Sequence, residues 1–171
     1  MLFPFFSNIH TNTPSITSTG IQGKTAVDLA QEARAAQAAH VPLLVFYTQP
    51  DCPYCERARR DYLEPMIADP AERDRQRVVE VDITSGAPLT DFSGHKTTQA
   101  KFAGSNRVRV VPTIAFVGAR GEPLADPLVG LTLPDFYSTY LDRRIEQARE
   151  KLAGALTSRR PGRAPSATGG G

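Results

Sequence analysis

Two cysteines three positions apart are the residues of this sequence best suited to chemistry. Cys52 and Cys55 are the only cysteines among the 171 residues, and they come soon after the apolar run 43–47. A thiol pair at this spacing can work as a redox dithiol, form half of a metal site, or close a structural disulfide. The neighbouring elements help to decide between these three possibilities.

The pair lies where a strand is expected to end and a helix to begin. Residues 43–48 are mostly apolar, which is typical of a strand buried on both faces. Pro53 suits the first turn of a helix, where its missing N–H costs nothing. At such a helix N-terminus, unsatisfied N–H groups and the helix dipole favour a thiolate at Cys52. Cys55, one turn further, can then close a ring with Cys52, so we assign Cys52 as the nucleophile and Cys55 as the resolving thiol.

The alternatives use the same two thiols differently. A structural zinc site needs four ligands, and the other candidates, His10, His40 and His95, have no paired spacing. Cys52 and Cys55 could instead hold copper(I), with His95 as a candidate third ligand. A purely structural disulfide across two residues would close a small loop and stabilise little. We favour the redox pair, which requires no metal or cofactor, and keep the copper(I) module as the alternative.

The rest of the sequence predicts strands that alternate with helices, followed by two strands joined by a turn and a closing helix. Helices are expected at 25–39, from Pro53 to a kink or end at Pro65, at 96–102 and at 135–153. Strands are expected at 43–48, 78–83, within 108–117 and from 128, with a loop at 84–94. The last helix should bury one face, formed by Phe136, Tyr140, Leu141, Ile145 and Leu152.

Composition predicts one domain, residues 24–153, between two disordered segments. The arm 1–23 is rich in Ser, Thr, Asn, Pro and Gly, and the tail 154–171 is basic and Gly-rich. The tail holds three arginines and no acid, so the other residues carry about −1 of the net +2. That distribution excludes a basic surface for nucleic acid. No apolar run approaches the ~20 residues of a membrane span, and the N-terminal M-L-F-P-F-F does not predict a signal peptide.

A proline supplies the second functional signal. Pro112, in V-V-P-T, stands at the head of an apolar run, where a residue without an N–H fits a strand start or edge. C-P-Y-C after an apolar strand, V-P-T-I-A-F, the turn G-A-R-G and then L-V-G-L together resemble the thioredoxin superfamily. The resemblance covers residues 25–153.

This resemblance implies a thioredoxin-like α/β fold, with a central mixed β-sheet flanked by helices, a C-terminal β-hairpin and a closing helix. It also implies that Pro112 is a cis-proline packed against the active-site disulfide, and that the Val111 backbone pairs with substrate. Gly130 matches the glycine of the family's last strand. Val111, Pro112 and Tyr54 are thus the expected substrate-binding residues.

The branch of the superfamily is indicated by three segments. C-P-Y-C is the glutaredoxin dipeptide, but the glycine pair and acid that bind glutathione are replaced by G-A-R-G at 118–121. Where thioredoxins carry a buried carboxylate six residues before the first cysteine, this chain has Phe46. The segment 90–103, T-D-F-S-G-H-K-T-T-Q-A-K-F-A, is similar to SoxW-type proteins, which are bacterial periplasmic thiol reductases.

The resemblance therefore implies a thiol–disulfide oxidoreductase that reduces protein disulfides. An upstream thiol donor would then reduce its own disulfide again. A non-catalytic thioredoxin-like interaction domain is disfavoured because both cysteines are present. We expect a monomer without nucleic-acid partners or a membrane span. The implied compartment is the periplasm, and the cytoplasm is the alternative.

Overall fold

A computed structural model describes residues 24–131 and 134–158. Its strands are β1 (Lys24–Thr25), β2 (Leu43–Thr48), β3 (Arg77–Asp82), β4 (Pro88–Thr90), β5 (Lys96–Thr98), β6 (Thr113–Val117) and β7 (Pro123–Val129). Its α-helices are α1 (Leu29–Ala38), α2 (Pro53–Ala58), α3 (Glu64–Ala68), α4 (Gln99–Ser105) and α5 (Pro134–Ser158). The predicted arm 1–23 and most of the predicted tail lie outside the described residues.

The central sheet has the order β1-β3-β2-β6-β7. Strands β1, β3 and β2 are parallel, whereas β6 runs antiparallel to β2 and β7 runs antiparallel to β6. Strands β4 and β5 form a separate two-stranded sheet. The predicted mixed sheet, C-terminal hairpin and closing helix are confirmed.

Two apolar cores cover the two faces of this sheet, and β2 contributes alternate residues to each. The core that holds both cysteines, here called the cysteine face, includes Leu44, Phe46, Ile114, Leu141 and Ile145. The other core, here called the hairpin face, includes Leu43, Val45, Tyr47, Leu89 and Phe102. Every residue of β2 is buried, which is why its sequence reads as a continuous apolar run.

The helix after the cysteines does not end at Pro65. A π-helical turn, Arg59–Leu63, connects α2 to α3, and the Glu64 N–H bonds to the Arg59 carbonyl five residues earlier. Pro65 then occupies the first turn of α3, where no N–H is required. The wider turn thus lets the helix continue to Ala68.

Other boundaries differ from the prediction where elements are short. The first helix starts at Leu29, capped by the Asp28 side chain, because residues 24–25 pair with β3 instead. The predicted loop 84–94 contains β4, and 96–98 form β5 ahead of α4. Three-residue strands are too short to show an alternating pattern.

The closing helix was predicted with the wrong face at its start. Phe136 and Tyr140 are exposed, and the buried residues are Tyr137, Leu141, Ile145 and Ala148. Helix α5 also continues to Ser158, beyond the predicted end at residue 153. Within the part of the chain that the structure describes, none of the helices has the length and hydropathy to cross a bilayer.

Candidate active site

The two cysteines lie at the junction of β2 and α2 and are joined as a disulfide, with their Cα atoms 5.2 Å apart. Cys52 is the N-cap of α2 in an extended conformation, and Pro53 is the first helical residue. Cys52 is 7% exposed, whereas Cys55 is 0% exposed. An incoming disulfide would therefore reach Cys52 first.

The helix terminus directs a hydrogen bond at the outer sulfur. The Cys55 N–H donates to Cys52 Sγ over 3.2 Å, and the Glu56 N–H donates to the Cys52 carbonyl over 3.0 Å. An N–H at the positive end of a helix stabilises a thiolate more than a neutral thiol. In the reduced protein this geometry favours ionisation of Cys52.

The loop before β6 lies at the same edge of the sheet. Tyr47 pairs with Thr113, so the start of β6 is beside the end of β2. The Val111–Pro112 peptide is cis. The Pro112 carbonyl accepts a 2.7 Å hydrogen bond from the N–H of Gly130, whose φ of 73° is readily adopted by glycine.

Apolar side chains are exposed at this edge. Tyr54, between the cysteines, is 63% exposed, and Val110, before the cis peptide, is 50% exposed. Val111 is half-buried and packs against both cores. Tyr54, Val111 and Pro112, the residues expected to bind substrate, all lie at the edge that carries the cysteines, and their role in substrate binding stays a prediction.

Sequence reasoning missed an ion pair below the cysteines. Arg59, in the π-helical turn, donates to Glu80 of β3 from Nη2 over 2.5 Å and from Nε over 3.2 Å. It also donates to Glu56, and its Cζ lies 5.7 Å from the centre of the Phe46 ring. The sequence signal was the spacing of four between Cys55 and Arg59; the pairing with Glu80 depends on the fold.

These contacts fix the charge of Arg59. Partial burial would lower its pKa, but hydrogen bonds and charge attraction from Glu80 and Glu56 outweigh that effect and raise the pKa of Arg59 above its usual value. The Arg59 and Glu80 side chains are 20% and 17% exposed, so the pair is largely shielded from water.

Two buried hydroxyls have no hydrogen-bond partner among the described residues, Thr48 Oγ1 and Tyr137 OH. Thr48 ends β2, and by strand alternation its side chain is on the face of Phe46. Burial, with a smaller effect from Tyr62, raises the pKa of Tyr137 to about 12. Both groups are unpaired polar atoms in the half of the core that contains the cysteines.

The candidate third copper ligand is not with the cysteines. His95 is exposed in the β4–β5 connection, where its Nδ1 lies 3.5 Å from Asp91 Oδ2. Across residues 24–131 and 134–158, no three His, Cys, Asp or Glu side chains are grouped as a metal site would require.

Comparisons with known proteins agree with this geometry. A family model described as a thioredoxin-like domain matches residues 29–145. No curated protein matches the chain. Among solved structures, a thioredoxin-fold protein from Helicobacter pylori is 17% identical with a TM-score of 0.51, covering 70% of this chain and 81% of that chain.

Two further solved structures align over shorter parts of this chain. Trxlp from Edwardsiella tarda is 28% identical with a TM-score of 0.46, covering 68% of this chain and 98% of its own. The periplasmic thioredoxin SoxS from Paracoccus pantotrophus is 21% identical with a TM-score of 0.44, covering 63% of this chain and 98% of its own. The Helicobacter pylori structure shows the shared fold.

Proposed function

The chain belongs to the thioredoxin-like domain family, and from that premise we propose that it is a thiol–disulfide reductase that acts on disulfides of other proteins. The observation that carries this proposal is the Cys55 N–H directed at Cys52 Sγ from a helix N-terminus. A sulfur held there is the more exposed of a pair and ionises readily. These are the properties required of an attacking thiol.

The exchange takes place in two steps. The Cys52 thiolate attacks one sulfur of the substrate disulfide, forming a mixed disulfide, and the second substrate sulfur leaves as a thiolate that takes up a proton. Cys55 then loses its proton and attacks Cys52 Sγ, which releases the first substrate sulfur. Two electrons and two protons have passed to the substrate, and the Cys52–Cys55 disulfide remains for an upstream dithiol donor to reduce.

Three residues are proposed to hold the substrate chain. Val111 makes no backbone hydrogen bond within 24–131 and 134–158, so its N–H and C=O can pair with an extended segment. Pro112, next to it, has its carbonyl occupied by Gly130. Tyr54 offers an exposed aromatic ring on the cysteine side. Together these groups fit an unfolded or extended protein segment.

The test compares two single-cysteine variants. Cys55→Ser should accumulate mixed disulfides with a protein substrate such as insulin, because no resolving thiol remains to release them. Cys52→Ser should accumulate none, and both variants should lose insulin reduction. Iodoacetamide at mildly acidic pH should label Cys55→Ser faster than Cys52→Ser.

The opposite labelling order would reverse the two roles. Failure of both variants to trap substrate, together with copper(I) binding to the reduced wild type, would favour the metal-binding alternative. The reducing direction is checked by equilibrium with glutathione buffers, since a reductase needs a lower potential than its substrates.

The periplasm is the proposed compartment, and it rests on the similarity of segment 90–103 to SoxW-type reductases. Two cysteines used as one pair leave no further thiol that could mispair under oxidising conditions. We propose that the protein works as a monomer with a thiol electron donor. Fractionation of cells producing the full chain would place it in the periplasm or, as the alternative, the cytoplasm.

A further inference from the structure

We propose that the Arg59 guanidinium sets the redox equilibrium of the Cys52–Cys55 pair, and that Glu80 is the residue that positions it. This inference rests on the proposed function, because it concerns the same dithiol. Its basis is the placement of one largely shielded cation between the cysteine helix and the sheet.

Helix geometry brings Arg59 next to the cysteines. The Arg59 N–H donates to the Cys55 carbonyl, so the two residues lie one above the other on the same helix face. Helical side chains lean toward the N-terminus, which for Arg59 is the direction of the cysteines. Phe46 completes the contact, because its ring lies under the Arg59 guanidinium and packs in the same core as both sulfurs.

Glu80 holds the guanidinium in this position from the sheet. It is directly opposite Phe46 in the β2–β3 register, so its carboxylate emerges beside the aromatic ring. Two hydrogen bonds, from Nε and Nη2, fix the plane of the guanidinium as a single contact could not. Glu56 adds a third contact from the solvent side, where its side chain is 67% exposed.

Four of the other charges around the pair are exposed: Asp51 in the preceding turn, and Arg57, Arg60 and Asp61 on the helix. Asp82, at the end of β3, is partly buried like Glu80, and one of its carboxylate oxygens accepts hydrogen bonds from the N–H and the hydroxyl of Thr84. Charges in water act weakly on a neighbour, whereas the Arg59–Glu80 pair lies where screening is poor. The shielded pair should therefore act on the dithiol more strongly than the exposed charged side chains of the helix do.

The two partners must act in opposite directions. The positive charge of Arg59 stabilises the thiolate, which exists in the reduced form alone, so its removal favours the disulfide. The negative charge of Glu80 opposes the thiolate and partly neutralises Arg59, so its removal favours the dithiol. A role limited to packing or stability would not produce this reversal of sign.

The experiment measures the equilibrium of the full-length chain with glutathione, in which protein disulfide and two reduced glutathiones give the dithiol and one oxidised glutathione. Arg59→Met keeps a long apolar stem and should shift the equilibrium constant about tenfold toward the disulfide, equivalent to about 30 mV lower potential. Glu80→Gln keeps the side-chain shape and an oxygen acceptor that still holds Arg59 in place, so the loss of its negative charge should shift the equilibrium several-fold toward the dithiol. The pH profile of Cys52 alkylation should shift to higher pH in Arg59→Met and to lower pH in Glu80→Gln.

Matched variants separate charge from structure. Arg60→Met removes an arginine that is 71% exposed from the same helical turn and should leave the equilibrium unchanged. Arg59→Lys retains the charge without the two-point contact and should recover most of the wild-type equilibrium, even if it is less stable.

Unchanged equilibria in Arg59→Met and Glu80→Gln, or shifts of the same sign in both, would overturn the inference, whatever happens to the melting temperature. Opposite shifts in a protein that does not reduce insulin would support the inference while refuting the proposed function.

Discussion

The two faces of the central sheet are built on different principles. On the hairpin face, aromatic rings pack in series: Tyr47 stacks on Phe102 with centroids 6.4 Å apart, and Phe92 meets Phe102 edge-on at 5.8 Å. On the cysteine face the core includes a disulfide, borders the Arg59–Glu80 ion pair and buries the unpaired hydroxyls of Thr48 and Tyr137.

This difference between the two faces indicates that the cysteine face is the one shaped by function. Apolar packing without unpaired polar atoms is the cheaper way to stabilise a core, since a buried unpaired hydroxyl costs about 1–3 kcal/mol. The hairpin face also buries polar side chains, Glu32, Thr90 and Gln99, but each of them has a hydrogen-bond partner. The unpaired hydroxyls lie instead on the face where chemistry requires a particular field around a sulfur. Substitutions on the hairpin face should change stability and spare the redox equilibrium, whereas those on the cysteine face can change either.

The largest effect on stability is expected at the β6–β7 turn, where the hairpin face packs against Gly121. This glycine has φ +78°, and an added Cβ would lie 2.4 Å from Cδ2 of Phe92. Gly121→Ala should destabilise the protein by about 2–5 kcal/mol, since a left-handed residue costs about 1–2 kcal/mol and a steric clash about 1–3 kcal/mol. Chemical denaturation measures the loss, and the glutathione equilibrium should stay at the wild-type value.

The control is in the same turn. A Cβ on Gly118 would approach only the flexible end of the Glu122 side chain, at 2.5 Å, and its φ is not in the left-handed region. Gly118→Ala should therefore cost less than Gly121→Ala. Equal stability of the two variants, or a changed redox equilibrium in Gly121→Ala, would break the proposed division between the faces.

An intermediate effect is expected at alkaline pH from Tyr137 on the cysteine face. Burial raises its folded-state pKa to about 12, above the unfolded value of about 10. The stability that follows from this difference is complete below pH 10 and is lost as the pH rises toward 12, at up to about 1.4 kcal/mol per pH unit. Tyr137→Phe should reduce this loss, as measured by denaturation at several pH values.

Burial also raises the pKa of Tyr47, so Tyr137→Phe should still lose some stability at alkaline pH. At neutral pH, Tyr137→Phe should be slightly more stable than the wild type, because it removes a buried hydroxyl that has no partner among the described residues. Tyr140→Phe, at a position that is 42% exposed, is the matched control. An unaltered pH dependence in Tyr137→Phe would contradict the assignment.

Local sequence signals predicted the cysteine end of the molecule well. The bounds of β2 and the start of α2 at Pro53 follow from an apolar run and a helix-start proline, both of which act within a few residues. The Arg59–Glu80 pair could not be predicted in this way. It joins residues 21 apart in the chain, through a strand register that only tertiary structure defines.

The hairpin face illustrates the same limit. Strands β4 and β5 have three residues each, too few for a period-two pattern, and they bring Phe92 against Gly121 from a distant part of the chain. At the start of α5, Phe136 and Tyr140 were assigned to the core because their spacing is helical. A shift by one residue to Tyr137 satisfies the spacing to Leu141 better, and this shift exposes both aromatic rings.

The smallest effect should come from Thr48, and its sign is the informative part. The hydroxyl is buried without a partner among the described residues, so Thr48→Val removes an unpaired polar group at nearly constant shape, in a strand that favours β-branched residues. We expect a gain of about 0.5–1.5 kcal/mol in the disulfide form, measured by denaturant midpoint.

Thr90→Val is the control from the β4–β5 hairpin. Thr90 is also buried, at 7% exposed, but its hydroxyl accepts a 2.7 Å hydrogen bond from Lys96 Nζ, so its replacement should lower stability. Opposite signs at the two threonines would show that the buried hydroxyl of Thr48 is unpaired and that of Thr90 is paired, as the comparison of the two faces requires. A loss of stability in Thr48→Val would instead mean that its hydroxyl has a partner in solution. The contrast between the two faces of the sheet would then rest on the Arg59–Glu80 ion pair and the Tyr137 hydroxyl alone.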